Sequence, residues 1–319
     1  MTSPVILFSG QGAQKIGMAR DWIESSSIAR DLAMKADAAL GYSLTDIMFE
    51  GPEDALTATS KCQPALYLHG LIGLALLKSR LPNFKPVAAA GLSLGEFTAH
   101  SAAGTFSFED GLRLVSRRGT FMEEACNATD GAMAALIGGD EDKIRELAKA
   151  TGVDVANLNA PGQIVISGSS AGIDDAVAKA KDFGIRRAIK LNVAGAYHSS
   201  LMASAQEKLA AELATTNLVS PQIPVIANFT AAPVSSAEEI RSTLTSQVTG
   251  SVRWIESIQY LVSQGYTEFI EIGPGKIIAG LVAKIAPEAK VISIEDQASL
   301  ESAIELLFLT KSLNHELHK

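Results

Sequence analysis

Short runs of apolar residues alternate along the chain with stretches in which apolar positions return every three or four residues. The runs suit strands buried on both faces and the stretches suit helices laid over a sheet, so the pattern predicts an α/β protein with a largely parallel sheet. "VILF" (5–8) reads as a strand that enters the glycine-rich turn "SGQGAQ". Helices are predicted over 53–59 and 63–80, the second stopping before Pro82. "VAAAG" (87–91) reads as the next strand, "LGEFTAHSAAG" (94–104) as a helix ending at Gly104, and 108–126 as a helix with Leu112, Val115 and Met122 on one side. Further on, the pattern predicts a helix near 199–216, a strand "PVIAN" (224–228) and a helix from about 236. Ser236 and Glu239 stand at capping-box spacing there. A helix over 252–264, the strand "EFIEI" (268–272), the turn "GPG" and another helix complete the series.

Between these parts the rhythm changes. From about 129 to 196 the order is strand "AMAALIG", helix "DEDKIRELAKA", strands "VDVANLN" and "QIVISG", helix "SAGIDDAVAKAKDFG" and strand "RRAIKLNV". This β-α-β-β-α-β order predicts a ferredoxin-like subdomain (129–196) inserted into a larger domain made of 1–128 and 197–319.

The sharpest local signal is "GLSLG" (91–95), an apolar strand feeding a glycine-bracketed serine and then a helix. Glycines bracket such a turn because side chains there would collide with neighbouring backbone. The motif fits a nucleophile elbow with Ser93 raised at its tip, which makes the larger domain α/β-hydrolase-like. The Leu94 N–H would then lie at a helix N-terminus, where dipole and free donors favour an oxyanion. A tight packing turn is the competing reading, and the strand before and helix after favour the nucleophile.

A serine nucleophile needs a base. His315 and His318 fall in a polar tail expected to fray. His69 lies within an apolar helix and His100 within the helix after the elbow, and both suit structural roles. His198, in "VAGAYHSSLM", follows the last strand of the insertion, where the chain returns to the larger domain. Such junctions often line clefts, which favours His198 by position.

Composition narrows the rest. The 319 residues are 47% hydrophobic and 19% charged, with a formal charge of −8, an ordinary globular balance that argues against a nucleic-acid binder. Cys62 and Cys126 are the only cysteines, too few for a disulfide framework and without metal-ligand spacing. No metal or cofactor site is expected. The N-terminal apolar run is four residues without a basic lead, and "ALYLHGLIGLALL" (65–77) is shorter than a membrane span. A cytoplasmic protein without membrane attachment is expected.

Taken together, "FSGQGAQ", "GLSLGEFTA", "RRGTFMEEA", "GAMAALIG", "NLNAPGQIVISG", "GAYHSSLM", "QVTGSVRW" and "EIGPGKIIAGL" resemble the malonyl-CoA:acyl carrier protein transacylase family, in family order over nearly the whole chain. The resemblance implies Ser93 as nucleophile and His198 as its base, with the N–H groups of Gln11 and Leu94 as oxyanion hole. It implies Arg118 as the group that binds the malonyl carboxylate and Gln247 as the residue whose backbone carbonyl orients the histidine. Taken alone, Arg118 reads better as a solvated helix charge like Arg117. Leu92 departs from the histidine usual before the nucleophile, and "YHS" stands where the family's malonyl-specific members carry phenylalanine-histidine-serine.

The activity so implied is ping-pong transfer of malonyl from malonyl-CoA through a Ser93 acyl-enzyme to the phosphopantetheine thiol of an acyl carrier protein, in fatty acid or polyketide synthesis. Two rivals remain: an editing hydrolase on the same elbow, against which Arg118 argues, and a non-catalytic carrier-docking module. Arg186, Arg187 and Lys190, in "GIRRAIKLN", concentrate positive charge in an acidic chain. They are candidates for docking the acidic carrier, with a solvated strand edge as the alternative.

Overall fold

The computed structural model of the chain describes residues 3–316, with side chains through 308. Four strands of four or five residues run side by side in its large sheet: β1 (Val5–Phe8), β2 (Ala88–Gly91), and, from late in the chain, Glu268–Ile272 and Lys290–Ile294. Between them in sequence lie β3 (Gly131–Ile137), β4 (Asp154–Ala160), β5 (Gln163–Ser169), β6 (Arg187–Lys190), β7 (Val225–Ile226) and β8 (Pro233–Val234), so the last two are β9 and β10. The large sheet has the order β10-β9-β1-β2-β7-β8 and is parallel except for the β7–β8 pair. Every residue of β1 and β2 is buried, as continuous apolar runs require in a sheet covered on both faces.

The first helices are α1 (Arg20–Ser25), α2 (Ser27–Leu40), α3 (Leu44–Glu50), α4 (Glu53–Thr57) and α5 (Thr59–Arg80). They pack with α6 (Leu94–Ala102) and α7 (Phe108–Ala128) in the larger hydrophobic cluster around Phe8, Trp22, Tyr67 and Phe97. The break between the two helices predicted near residue 60 falls at Ala58, whose backbone (φ −53°, ψ 128°) leaves the helical region, and α5 starts earlier than predicted and carries Pro64 inside it. The helices over 20–50 and strand β10 are elements that the hydrophobic pattern does not single out.

The segment from β3 to β6 forms a second sheet, antiparallel, in the order β4-β5-β3-β6, with α8 (Glu141–Thr151) and α9 (Ser170–Lys179) packed on a core of its own. The predicted helix over 170–184 divides, its last turn tightening into a 3-10 helix at Ala180–Phe183. The chain then returns through α10 (Ala203–Thr215), α11 (Ala237–Gln247), α12 (Trp254–Ser263), α13 (Ile277–Ile285) and α14 (Gln297–Glu316). The capping box at Ser236 and Glu239 is formed. Backbone bonds tie the segment between α11 and α12 to β4 of the small sheet: Val252 N–H donates to Ala156 O (2.8 Å) and Leu158 N–H to Val252 O (2.9 Å). Among the described residues no helix is long and apolar enough to cross a membrane. His315 falls in α14, and His318 lies outside the described residues.

Candidate active site

A cavity of about 500 Å³ opens between the two sheets, at the C-terminal ends of β1 and β2. Ser93, Gln11, Tyr197 and His198 line it, together with Met122, Met133 and Val165. Ligand sites gather at this end of open parallel sheets.

The elbow is built by its glycines. A Cβ at Gly91 would fall on the Gly95 carbonyl, and one at Gly95 on the Phe8 carbonyl, so only glycine lets β2 turn this sharply into α6. Ser93 is held at φ 53°, ψ −106°, a conformation that side chains other than glycine rarely adopt. Asn228 fastens the turn at both ends: its Oδ1 accepts the Ser93 N–H (2.7 Å) and its Nδ2 donates to Gly91 O (2.8 Å).

Ser93 Oγ lies 2.8 Å from His198 Nε2, and His198 Nδ1 lies 2.8 Å from Gln247 O. The backbone carbonyl can only accept, so Nδ1 carries the proton and Nε2 is left to accept from the serine. His198 itself has φ 54°. Burial, and then the Arg118 charge, push its pKa down to about 4, so the ring is neutral at pH 7.

Arg118 is 1% exposed on α7, and the solvated-charge reading of it is wrong. Its Nη1 donates to Gln63 Oε1 (2.8 Å), and its Nη2 donates to Gln247 Oε1 (2.9 Å) and to Ser93 Oγ (3.0 Å). Burial lowers its pKa to about 10, which leaves it charged at neutral pH. Arg117, one residue earlier, faces out and meets Glu212.

Among the described residues the Gln11 and Leu94 amides donate to no other group, and they stand on the two turns that flank the serine. The Gln11 side chain reaches toward Thr59 and Tyr197, whose hydroxyls are 2.6 Å apart. Ser93, His198, Gln11, Leu94, Arg118 and Gln247 thus converge on one place.

The other histidines are engaged elsewhere. His69 Nε2 bonds Glu295 O (3.0 Å), and His100 Nδ1 pairs with Thr105 (3.1 Å). Burial holds both rings neutral, near 4 and 3 respectively.

Arg186, Arg187 and Lys190 are apart from the dyad, exposed along β6 at the edge of the small sheet. Lys190 is paired with Asp174 at 2.7 Å, which leaves the two arginines as the patch's unpaired charges among the described residues. Arg186 also lines a second concavity with Lys284 and Gln163, and Gln163 borders the main cavity as well.

Four participants are ones that motif spacing does not reveal. Asn228 and Gln63 are ordinary amides in sequence, and only the fold brings them to the elbow. Tyr197 precedes the histidine and closes the wall beside Gln11. Glu96, wholly buried on α6, accepts from Asn228 N–H (2.9 Å) and Gln247 Nε2 (2.7 Å). Its one signal in sequence is a carboxylate set among the small apolar residues of "LGEFTAHSA".

The model of the acyl transferase domain family matches residues 5–295 of this chain. A malonyl CoA-acyl carrier protein transacylase of Bacillus subtilis (strain 168) is 41% identical over 312 residues, covering 96% of this chain and 98% of that protein. Among solved structures, a malonyl CoA-acyl carrier protein transacylase from Clostridium perfringens superposes with a TM-score of 0.94 at 34% identity, covering 98% of this chain and 100% of the other. A malonyl-transacylase in complex with its type II PKS acyl-carrier protein superposes at 0.92 with 34% identity, over 95% of this chain and 99% of that one.

Proposed function

The chain belongs to the acyl transferase domain family, and from that premise we propose that it moves malonyl from malonyl-CoA to the phosphopantetheine thiol of an acyl carrier protein through an ester on Ser93. The observation that carries the reading is the pair of hydrogen bonds Ser93 Oγ–His198 Nε2 and His198 Nδ1–Gln247 O, with the Arg118 cation on the same serine oxygen.

His198 takes the Ser93 proton as Oγ attacks the thioester carbonyl carbon. The carbonyl oxygen becomes an oxyanion between the Gln11 and Leu94 N–H groups. Collapse breaks the carbon–sulfur bond, and the CoA thiolate leaves with the proton from His198. The carrier's thiol then gives its proton to His198, attacks the malonyl-serine ester and expels Ser93, which recovers the proton. Atoms and charge balance in both halves with the dyad alone, so the chemistry as written calls for no metal or cofactor. Arg118 neutralises the malonyl carboxylate, which a site for neutral acyl chains would not need, and this disfavours an editing hydrolase.

Arg186 and Arg187 are proposed as the carrier's docking charges. Leu92 on the cavity wall makes that edge apolar, and the pathway served, fatty acid or polyketide, is left to the carrier that docks.

Intact-protein mass spectrometry with malonyl-CoA tests the reading. A persistent malonyl adduct, absent in Ser93→Ala, slowed about 10²–10⁴-fold in His198→Ala and discharged by holo carrier protein, is expected. Rapid release of free malonate without a carrier would favour hydrolysis.

A further inference from the structure

We propose that Glu96 is a positioning residue for acyl selectivity: by accepting from the Gln247 side-chain amide it turns that amide's oxygen toward Arg118, and so aims the guanidinium at an acyl carboxylate. The inference rests on the malonyl reading given above.

The local hydrogen-bonding chemistry permits one orientation of the amide. Gln247 Nε2 faces three acceptors: Glu96 Oε2 (2.7 Å), Ser93 O (2.9 Å) and Asn228 Oδ1 (3.4 Å). Its oxygen faces Arg118 Nη2, which can only donate. A flipped amide would set N–H against N–H on the arginine side and oxygen against oxygen on the other. Glu96 gives the shortest of the three contacts on the nitrogen and is wholly buried, so the amide and the carboxylate fix each other in a region with little water. A chain of bonds therefore runs from the carboxylate through a neutral amide to the guanidinium that touches Ser93 Oγ.

Among the described residues the charged and titratable groups facing Glu96 are Arg118 on α7 and His100 one turn along its own helix. Glu96 Oε1 faces His100 Nε2 at 4.0 Å, and neither atom has a hydrogen-bond partner among the described residues. Burial pushes the Glu96 carboxyl up to about 7. A proton on Oε1 leaves Oε2 free to accept, so the aiming of Gln247 survives either protonation state. Glutamine at this position keeps a carbonyl acceptor and drops the charge, whereas methionine keeps similar bulk and removes the acceptor.

The test compares kcat/KM for malonyl-CoA and acetyl-CoA in wild type, Glu96→Gln and Glu96→Met, with near-ultraviolet circular dichroism as the folding control. Damage to the elbow through Asn228 lowers both rates, so the malonyl-to-acetyl ratio isolates the aim of Arg118. Glu96→Met should lower that ratio about tenfold or more, the scale of one misdirected charged hydrogen bond, and Glu96→Gln should restore it to within about threefold of wild type. If Glu96→Met does not fold, Gln247→Met, which keeps the backbone carbonyl for His198, should show the same fall. An unchanged ratio in a folded methionine variant overturns the proposal. So does an equal fall in Glu96→Gln, which would make charge the operative property. Absence of any malonyl adduct in wild type would overturn the functional reading first, and this inference with it.

Discussion

Replacing Arg118 should separate recognition of the acyl carboxylate, proposed above, from the acyl-transfer chemistry. A guanidinium has five N–H donors, and three bonds, to Gln63, Gln247 and Ser93, are formed here, so two donors are unused among the described residues. Nε is one of them, buried and without a partner among the described residues. Removing one side of a buried charge pair costs about 2–5 kcal/mol, or roughly 30- to several-thousand-fold in kcat/KM for malonyl-CoA with Arg118→Ala. Acetyl-CoA presents no carboxylate, so its rate should hold level or rise. Arg118→Lys keeps a charge and loses the planar fork, and should fall between. The alanine change also strips donors from the Gln63 and Gln247 carbonyl oxygens, so the thermal midpoint should drop. That loss is common to both substrates and cancels in the malonyl-to-acetyl ratio. The assay is acyl-enzyme formation under single turnover, read by intact mass for each thioester. An unchanged ratio in a folded Arg118→Ala protein would refute the carboxylate-binding role.

Asn228→Ala removes the bonds to Ser93 N–H and Gly91 O, and should lower unfolding free energy by about 2–4 kcal/mol and slow acylation by both thioesters alike. Denaturant titration beside the two rates checks it, and full stability would refute the clamp. Charge reversal at Arg186 and Arg187 should raise KM for the carrier and leave acylation by malonyl-CoA unchanged; equal loss in both half-reactions would remove the patch from docking. His69, His100 and His198 are all held below their ordinary pKa, so the unfolded chain takes up their protons first as pH falls from 6.5 toward 4. Glu96 and Glu271, raised by burial, act in the opposite sense. Three against two leaves stability falling on the acid side, by about 1.4 kcal/mol per net proton per pH unit. Urea midpoints at pH 6.5 and 5 measure this, and His100→Gln should flatten the trend; a midpoint that rises on acidification would contradict it.

What the sequence discloses follows from the range of the interactions. The elbow is local: strand, glycines, serine and helix lie within the fifteen residues 88–102, and the backbone collisions at Gly91 and Gly95 are written in that order. The insertion between 129 and 196 is legible because each apolar run has a neighbour of the right period. His198, by contrast, is one of five histidines, and position alone favours it only modestly. Its distinction, a carbonyl acceptor behind it and a hydroxyl before it, comes from residues 49 and 105 positions away. Arg117 and Arg118 are indistinguishable as letters, and the turn of α7 sends one to solvent and the other into the core. Strand β10 escapes the pattern because it lies at a sheet edge, with most of its residues half-buried, and so carries a weak apolar signal.

The bridge between Val252 and β4 has a mechanical consequence. Val252, bonded on both sides to β4, lies five positions beyond Gln247, whose carbonyl holds His198. Drawing β4 away from Val252 would break those two backbone bonds and tug on the short tether that ends at the histidine's anchor. The wall that β4 lends to the cavity and the anchor of the base are therefore tied to one short segment of chain. The arm of a thioester substrate has to enter a slot whose width is already set, and a protein too bulky for the slot can present only a thin extension to the serine.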